Sequence, residues 1–182
     1  MPKFSCPSLL RLAAAAAGVL LFAACSPKFD WREVHGANAP FVILMPAKPV
    51  TASRPIDLDG MPVTMSMTAA EVDGVSFALG TAELPDASKA QAALIAMKTA
   101  MVKNISGVVM HEKLLDPAGS QPATIELETR GTPGPDGAGE PRLLVARFAA
   151  KDKRVYQAVV LGHEKKVSRE AVDTFLTSFK LN

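Results

Sequence analysis

Hydrophobic and polar positions along this chain fall into an apolar leader followed by alternating blocks of period two and period 3.6. Phe41 to Leu44 is a short apolar run stopped by Pro46 and Pro49, and predicts a first strand at a sheet edge. Val63, Met65, Met67 and Ala69 alternate with Thr64, Ser66 and Thr68, which predicts a half-buried strand over 63–72. Asp59-Gly60 before it and Asp73-Gly74 after it are favoured hairpin dipeptides. They join this strand to Ile56–Leu58 on one side and to Val75, Phe77 and Leu79 on the other, as an antiparallel meander. From Ala87 to Ser106 the period changes. Ala90, Leu94, Met97, Met101 and Ile105 share one face of a helix, capped by Asp86 or Ser88 and ended by Gly107. Strands follow at Val108–Leu115, Thr124–Arg130, Arg142–Ala149 and Arg154–Leu161, with a Pro117–Pro122 loop and a Gly/Pro-rich loop over 131–141 between them. The last element is a helix capped by Ser168, with a Val167–Val172 staple and Val172, Phe175, Leu176 and Phe179 on its inner face.

Strands, helix, strands, helix is the order of an α+β fold, an antiparallel sheet packed by two helices. The predicted organisation is a leader over 1–24, a tether over 25–40 carrying the only tryptophan, Trp31, and one domain over 41–182.

The leader opens with Lys3 and Arg11 and continues as an uncharged run from Leu12 to Ala24, ending in small residues before Cys25. That is the layout of a secretory signal. As a helix the run covers roughly 20 Å, short of a ~30 Å hydrocarbon core, so export and cleavage fit it better than permanent spanning. Leu21-Phe22-Ala23-Ala24-Cys25 resembles the lipobox of bacterial lipoprotein precursors. The resemblance implies cleavage between Ala24 and Cys25, a diacylglycerol on the Cys25 thiol and a fatty acid such as palmitate on its new amine. Several acyl chains make a stable membrane anchor. Ser26, where an aspartate would favour retention at the inner membrane, implies the periplasmic face of the outer membrane.

Charge and cysteine content follow from this. The chain carries 20 Lys+Arg against 18 Asp+Glu, and the leader takes Lys3 and Arg11 with it, leaving a neutral domain with no basic patch for nucleic acid. The two cysteines are Cys6, in the leader, and Cys25, so thiolate catalysis, redox CxxC chemistry and thiolate metal sites are excluded from the mature domain.

The ending Arg154-Val155-Tyr156-Gln157-Ala158-Val159-Val160, then Phe175-Leu176-Thr177-Ser178-Phe179, is similar to the close of PsbP-like α/β/α domains, where a final hairpin precedes a helix with a Phe-x-x-Ser-Phe-like motif. The resemblance extends in element order over 41–181. It implies an α/β/α sandwich and a binding or assembly-assisting role, with no shared catalytic site.

Candidate chemistry is sparse. Met65 and Met67 with His111 could supply soft ligands to copper, the alternative being that both methionines belong to the core. Ser168 and His163 could be joined to an aspartate on paper, but no Gly-x-Ser-x-Gly elbow accompanies them and a helix cap explains Ser168. Asp57-Leu58-Asp59-Gly60 has the opening of a calcium loop without its later ligands, and a turn explains it. Glu126 and Glu128 point out of their strand toward Arg142 or Arg147 as cross-strand pairs. The expectation is a non-enzymatic, membrane-anchored envelope protein with no cofactor and no nucleic-acid partner, contacting a protein through the 131–141 loop or the Trp31 segment. The alternative is a periplasmic copper or small-ligand binder.

Overall fold

Three two-residue turns set the frame. Asp59-Gly60 (φ 55° and 78°) and Asp73-Gly74 (φ 53° and 77°) both sit in the left-handed region that the tightest hairpin turns demand, and Asp152 (φ 53°) opens a third turn. The computed structural model describes residues 27–37, 39–115, 124–131 and 140–182. Ten strands run in the order β1 Arg32–His35, β2 Phe41–Met45, β3 Val50–Leu58, β4 Met61–Val72, β5 Val75–Glu83, β6 Gly107–Leu115, β7 Thr124–Gly131, β8 Arg142–Lys151, β9 Arg154–His163 and β10 Lys180–Leu181. The helices are α1 (Ala90–Asn104), entered through a 3-10 turn at Ala87–Lys89, and α2 (Arg169–Ser178).

Seven strands form one antiparallel sheet in the order β3-β4-β5-β9-β8-β7-β6; β1, β2 and β10 form a second, with β2 in the middle. α1 covers one face of the large sheet, burying Leu94 and Met97 against Phe148, Val155 and Leu127. α2 and the small sheet cover the other, where Phe175 meets Phe77 edge-on at 5.5 Å between ring centres. Two helices packed on antiparallel sheet make the α+β fold that the periodicity predicted. β9 lies at the centre with both faces covered, which is why Val155 to Val160 reads as a nearly unbroken apolar run. β4 changes its buried side along its length: Val63 and Met65 face α1, whereas Thr68 and Ala70 are buried on the opposite side. Each face is covered over only part of this strand.

Four elements differ from the sequence reading. The Trp31 segment, read as tether, enters the fold: β1 pairs antiparallel with β2, and Trp31 lies 6.4 Å from the Phe77 ring. β2, read as an edge, is flanked on both sides. β3 extends back to Val50 through Pro55, which an outermost strand tolerates because a missing N–H can face solvent. α1 is ended by Ser106 in the left-handed region (φ 47°), while Gly107 starts β6. A Cβ on Gly107 would stand 2.2 Å from Thr129 Cγ2, so glycine is needed there for close packing.

The Phe-x-x-Ser-Phe ending acquires a physical account. Ser178 Oγ donates to the Phe175 carbonyl at 2.7 Å and accepts the Leu44 amide at 2.9 Å. β10 pairs Lys180 with Val42 and Leu181 with Phe41, and the same register carried back places Ser178 opposite Leu44. The serine hydroxyl therefore continues the ladder one step past the point where the strand stops.

Candidate functional site

Ala24 and Cys25 lie outside the described residues, as do most of the 131–141 loop and the Pro117–Pro122 loop. The thioether set does not come together. Met65 is 3% exposed and faces α1, and Met67 on the same face accepts a long contact from Gln157 Nε2 at 3.6 Å. His111 stands on β6, five strand positions from β4 and on the α2 side of the sheet. At ~4.8 Å per strand that is roughly 24 Å. The strand order, which the sequence does not display, separates them. Among the described residues no three His, Cys, Asp or Glu side chains cluster as metal ligands.

Ser168 Oγ accepts the Ala171 amide at 3.3 Å and so caps α2. Asp57 Oδ1 accepts the Gly60 amide at 2.7 Å, tying the β3–β4 turn. Glu126 meets Arg147, whose Nε lies 3.0 Å from Oε1, and the same guanidinium donates through Nη1 to the Leu176 carbonyl at 2.7 Å. Arg147 thereby fastens the end of α2 to the sheet. Glu128 pairs with Arg169, not with Arg142 or Arg147, through two 2.7 Å bonds. The Arg169 hydrogen bonds hold the Glu128 carboxyl below its ordinary value, and Glu128 in turn raises Arg169. This row is a clamp between α2 and β7–β8, with its charges already partnered.

A hydroxyl-lined cleft of about 160 Å³ lies between the β1–β2 hairpin and the outer half of the large sheet. Thr51, Ser66, Thr68 and Thr81 line it, together with Arg154 and His35. Thr51 and Thr68 share a 3.0 Å hydroxyl bond. Thr81 is 7% exposed and its hydroxyl has no partner; the same holds for the fully buried phenol of Tyr156, its cross-strand neighbour. Burial pushes the Tyr156 phenol above its ordinary value. Tyr156 does not line the cleft, so the Thr81 hydroxyl is the unpartnered group there that could meet a small polar molecule. Sequence reading took Ser66 and Thr68 as a solvent face. The usable signal was the hydroxyl alternation on β4, but Thr51 and Thr81 join it only through the strand register.

The two edges of the large sheet contrast. β3 carries Arg54, Pro55 and Asp57, residues that discourage another strand from pairing. β6 exposes Val108 (61%), Met110 (60%) and Leu114 (59%), with a bulge between Val109 and His111. Beside it, an open groove of about 450 Å³ runs along the end of α1, with Val102 and Val109 among its lining.

No family model matches this chain, and no curated protein matches it. Among solved structures, it is similar to the solution structure of cyanobacterial PsbP (CyanoP) from Synechocystis sp. PCC 6803, with a TM-score of 0.58 over 88% of this chain and 96% of that one. At 12% identity the likeness is one of fold, and the chain therefore has a PsbP-like architecture.

Proposed function

We propose that this chain is an exported lipoprotein, acylated at Cys25, whose α+β domain serves at the periplasmic face of the outer membrane as a non-enzymatic binding or assembly-accessory module. The observation that carries the reading is how closely the fold follows the lipobox. Lys28, Phe29 and Trp31 lie within six residues of Cys25; Lys28 pairs with Asp73 at 3.1 Å, and Phe29 packs against Trp31 (5.4 Å) and Phe77 (6.4 Å). A leader with its cysteine directly before the first packed residues is the order of a cleaved, anchored precursor.

For the partner, the β6 edge is favoured over the Trp31 segment, since Trp31 is used in packing. An extended protein segment added to β6 would satisfy its open backbone groups and place side chains in the groove beside α1. The test is expression of the full chain in a Gram-negative host, with intact mass, membrane fractionation and affinity capture from solubilised envelopes. The reading expects a mature N-terminus at Cys25 bearing acyl chains, a soluble Cys25→Ala product, and a captured protein that Leu114→Lys releases. An unprocessed or unacylated chain, or capture indifferent to Leu114→Lys, overturns it.

A second reading, a small-ligand binder, is favoured by one observation, the unpartnered Thr81 hydroxyl in the cleft. Copper has no comparable support, because Met65, Met67 and His111 are apart. Calorimetric titration with copper should give only heat of dilution.

A further inference from the structure

We infer that the domain stands upright on the membrane, strands along the bilayer normal, with the end that carries Lys28, Lys48, Val50 and Lys166 resting on a phospholipid leaflet. The inference rests on the acylation of Cys25.

Covalent reach limits the geometry. Three peptide units separate Cys25 from Lys28, so their Cα atoms can be no more than about 11 Å apart. Lys28 is fixed to the fold by its pair with Asp73 in the β4–β5 turn. If the acyl chains are in the bilayer, the Lys28 Cα lies within about 11 Å of the anchored Cys25 Cα, and the turn that Lys28 pairs with is the end of the sheet held nearest the headgroups. β4 runs away from it for twelve residues, about 40 Å. The opposite end of the sheet, with the Asp59-Gly60 and Asp152 turns, cannot reach the surface at the same time unless the domain lies flat.

Side chains distinguish upright from flat. At the near end Val50 is 73% exposed, the most exposed large apolar residue of the described chain, and Lys48, two residues before it, is also exposed. Lys166 extends over the Asp73-Gly74 turn, within 3.8 Å of where a Gly74 side chain would begin. Asp73 and Glu140 at this end are each partnered by a lysine, Lys28 and Lys165, and Glu164 is partnered by Arg130 at 2.7 Å. Lys48 and Lys166 make no ion pair among the described residues, so they remain for phosphate. The far end mixes Asp57, Asp59, Asp86 and Asp152 with Lys89, Lys151 and Lys153, and Glu71 is exposed at the near end, so the ends differ by the tether and the exposed valine rather than by net charge. Surface lysines beside an exposed valine, close to a lipid anchor, are the chemistry of a headgroup contact.

The test uses the acylated full chain in vesicles of phosphatidylethanolamine and phosphatidylglycerol. Apart from acylated Cys25 the mature chain has no cysteine, so Val50→Cys and Asp59→Cys each accept a single nitroxide label. Expected is loss of relaxation by a water-soluble nickel chelate at position 50 on vesicle binding, with no change at 59. Lys48→Glu with Lys166→Glu should restore access at 50 while flotation with the vesicles persists. A chain that fails to float overturns the anchor reading and this inference with it. A chain that floats but shows equal access at 50 and 59 overturns the upright orientation alone.

Discussion

Ser178→Ala removes one oxygen and should destabilise the domain far more than its size suggests. The hydroxyl donates to Phe175 O at 2.7 Å and accepts Leu44 N at 2.9 Å in a part-buried position. A hydrogen bond is worth a net ~1 kcal/mol, but removing one partner so that the other is left unsatisfied costs ~1–3 kcal/mol instead. Leu44 is opposite no β10 residue, because β10 pairs only with Val42 and Phe41. The expected loss is therefore about 2 kcal/mol, which for a domain of this size lowers Tm by about 4–8 °C. Thr177→Ala is the matched control. Its hydroxyl also donates to a backbone carbonyl, that of Asp173 at 2.6 Å, but it is exposed and receives no amide. Urea unfolding of both variants measures the difference, and amide exchange at Leu44 reports the lost bond directly. If Ser178→Ala falls within about 0.5 kcal/mol of Thr177→Ala, or Leu44 exchange is unchanged, the ladder-extending role of Ser178 is refuted.

Two further outcomes follow from packing and charge. Gly80→Ala would place a Cβ 2.5 Å from Met67 Sδ and 2.9 Å from Gln157, so a loss of about 1–3 kcal/mol is expected; thermal melts should show partial recovery when Met67 is shortened to Val, and a fully additive double variant would contradict the clash. Because Arg169 holds Glu128 below its ordinary value of 4.5, the pair contributes stability above that pH and loses it as pH falls through the lowered value. Glu128→Gln should consequently flatten the acid limb of a stability–pH curve, and an unchanged limb would show the pair to be inert.

The sequence was most legible where local chemistry decides conformation. The Asp-Gly turns, the Ser168 cap and the inner stripe of α2 rest on φ preferences, one side-chain acceptor and a 3.6-residue period, and each appears in place. Elements whose existence depends on a distant partner were hidden. β1 and β10 are four and two residues long, and only β2 between them makes them strands. β3 was obscured by Pro55 and Arg54, which are acceptable only at an edge. The edge status of β6 was equally unreadable, since an exposed Val-Val-Met run has the composition of a core strand. The cleft hydroxyls come from three strands, and the register that gathers Thr51, Ser66, Thr68 and Thr81 also carries His111 away from the methionines.

β2 is held on one side by Arg32–His35 and on the other by Lys180–Leu181, segments about 150 residues apart in the sequence. The large sheet can assemble from residues 50–163, but the layer over its second face waits for Lys180 and Leu181. Such long-range closure makes the last step of folding slow in topological terms. It also postpones completion of that layer until Lys180 and Leu181 are available to pair. Removal of Lys180–Asn182 would leave β2 with a raw hydrogen-bonding edge, open to pairing with a strand of another molecule.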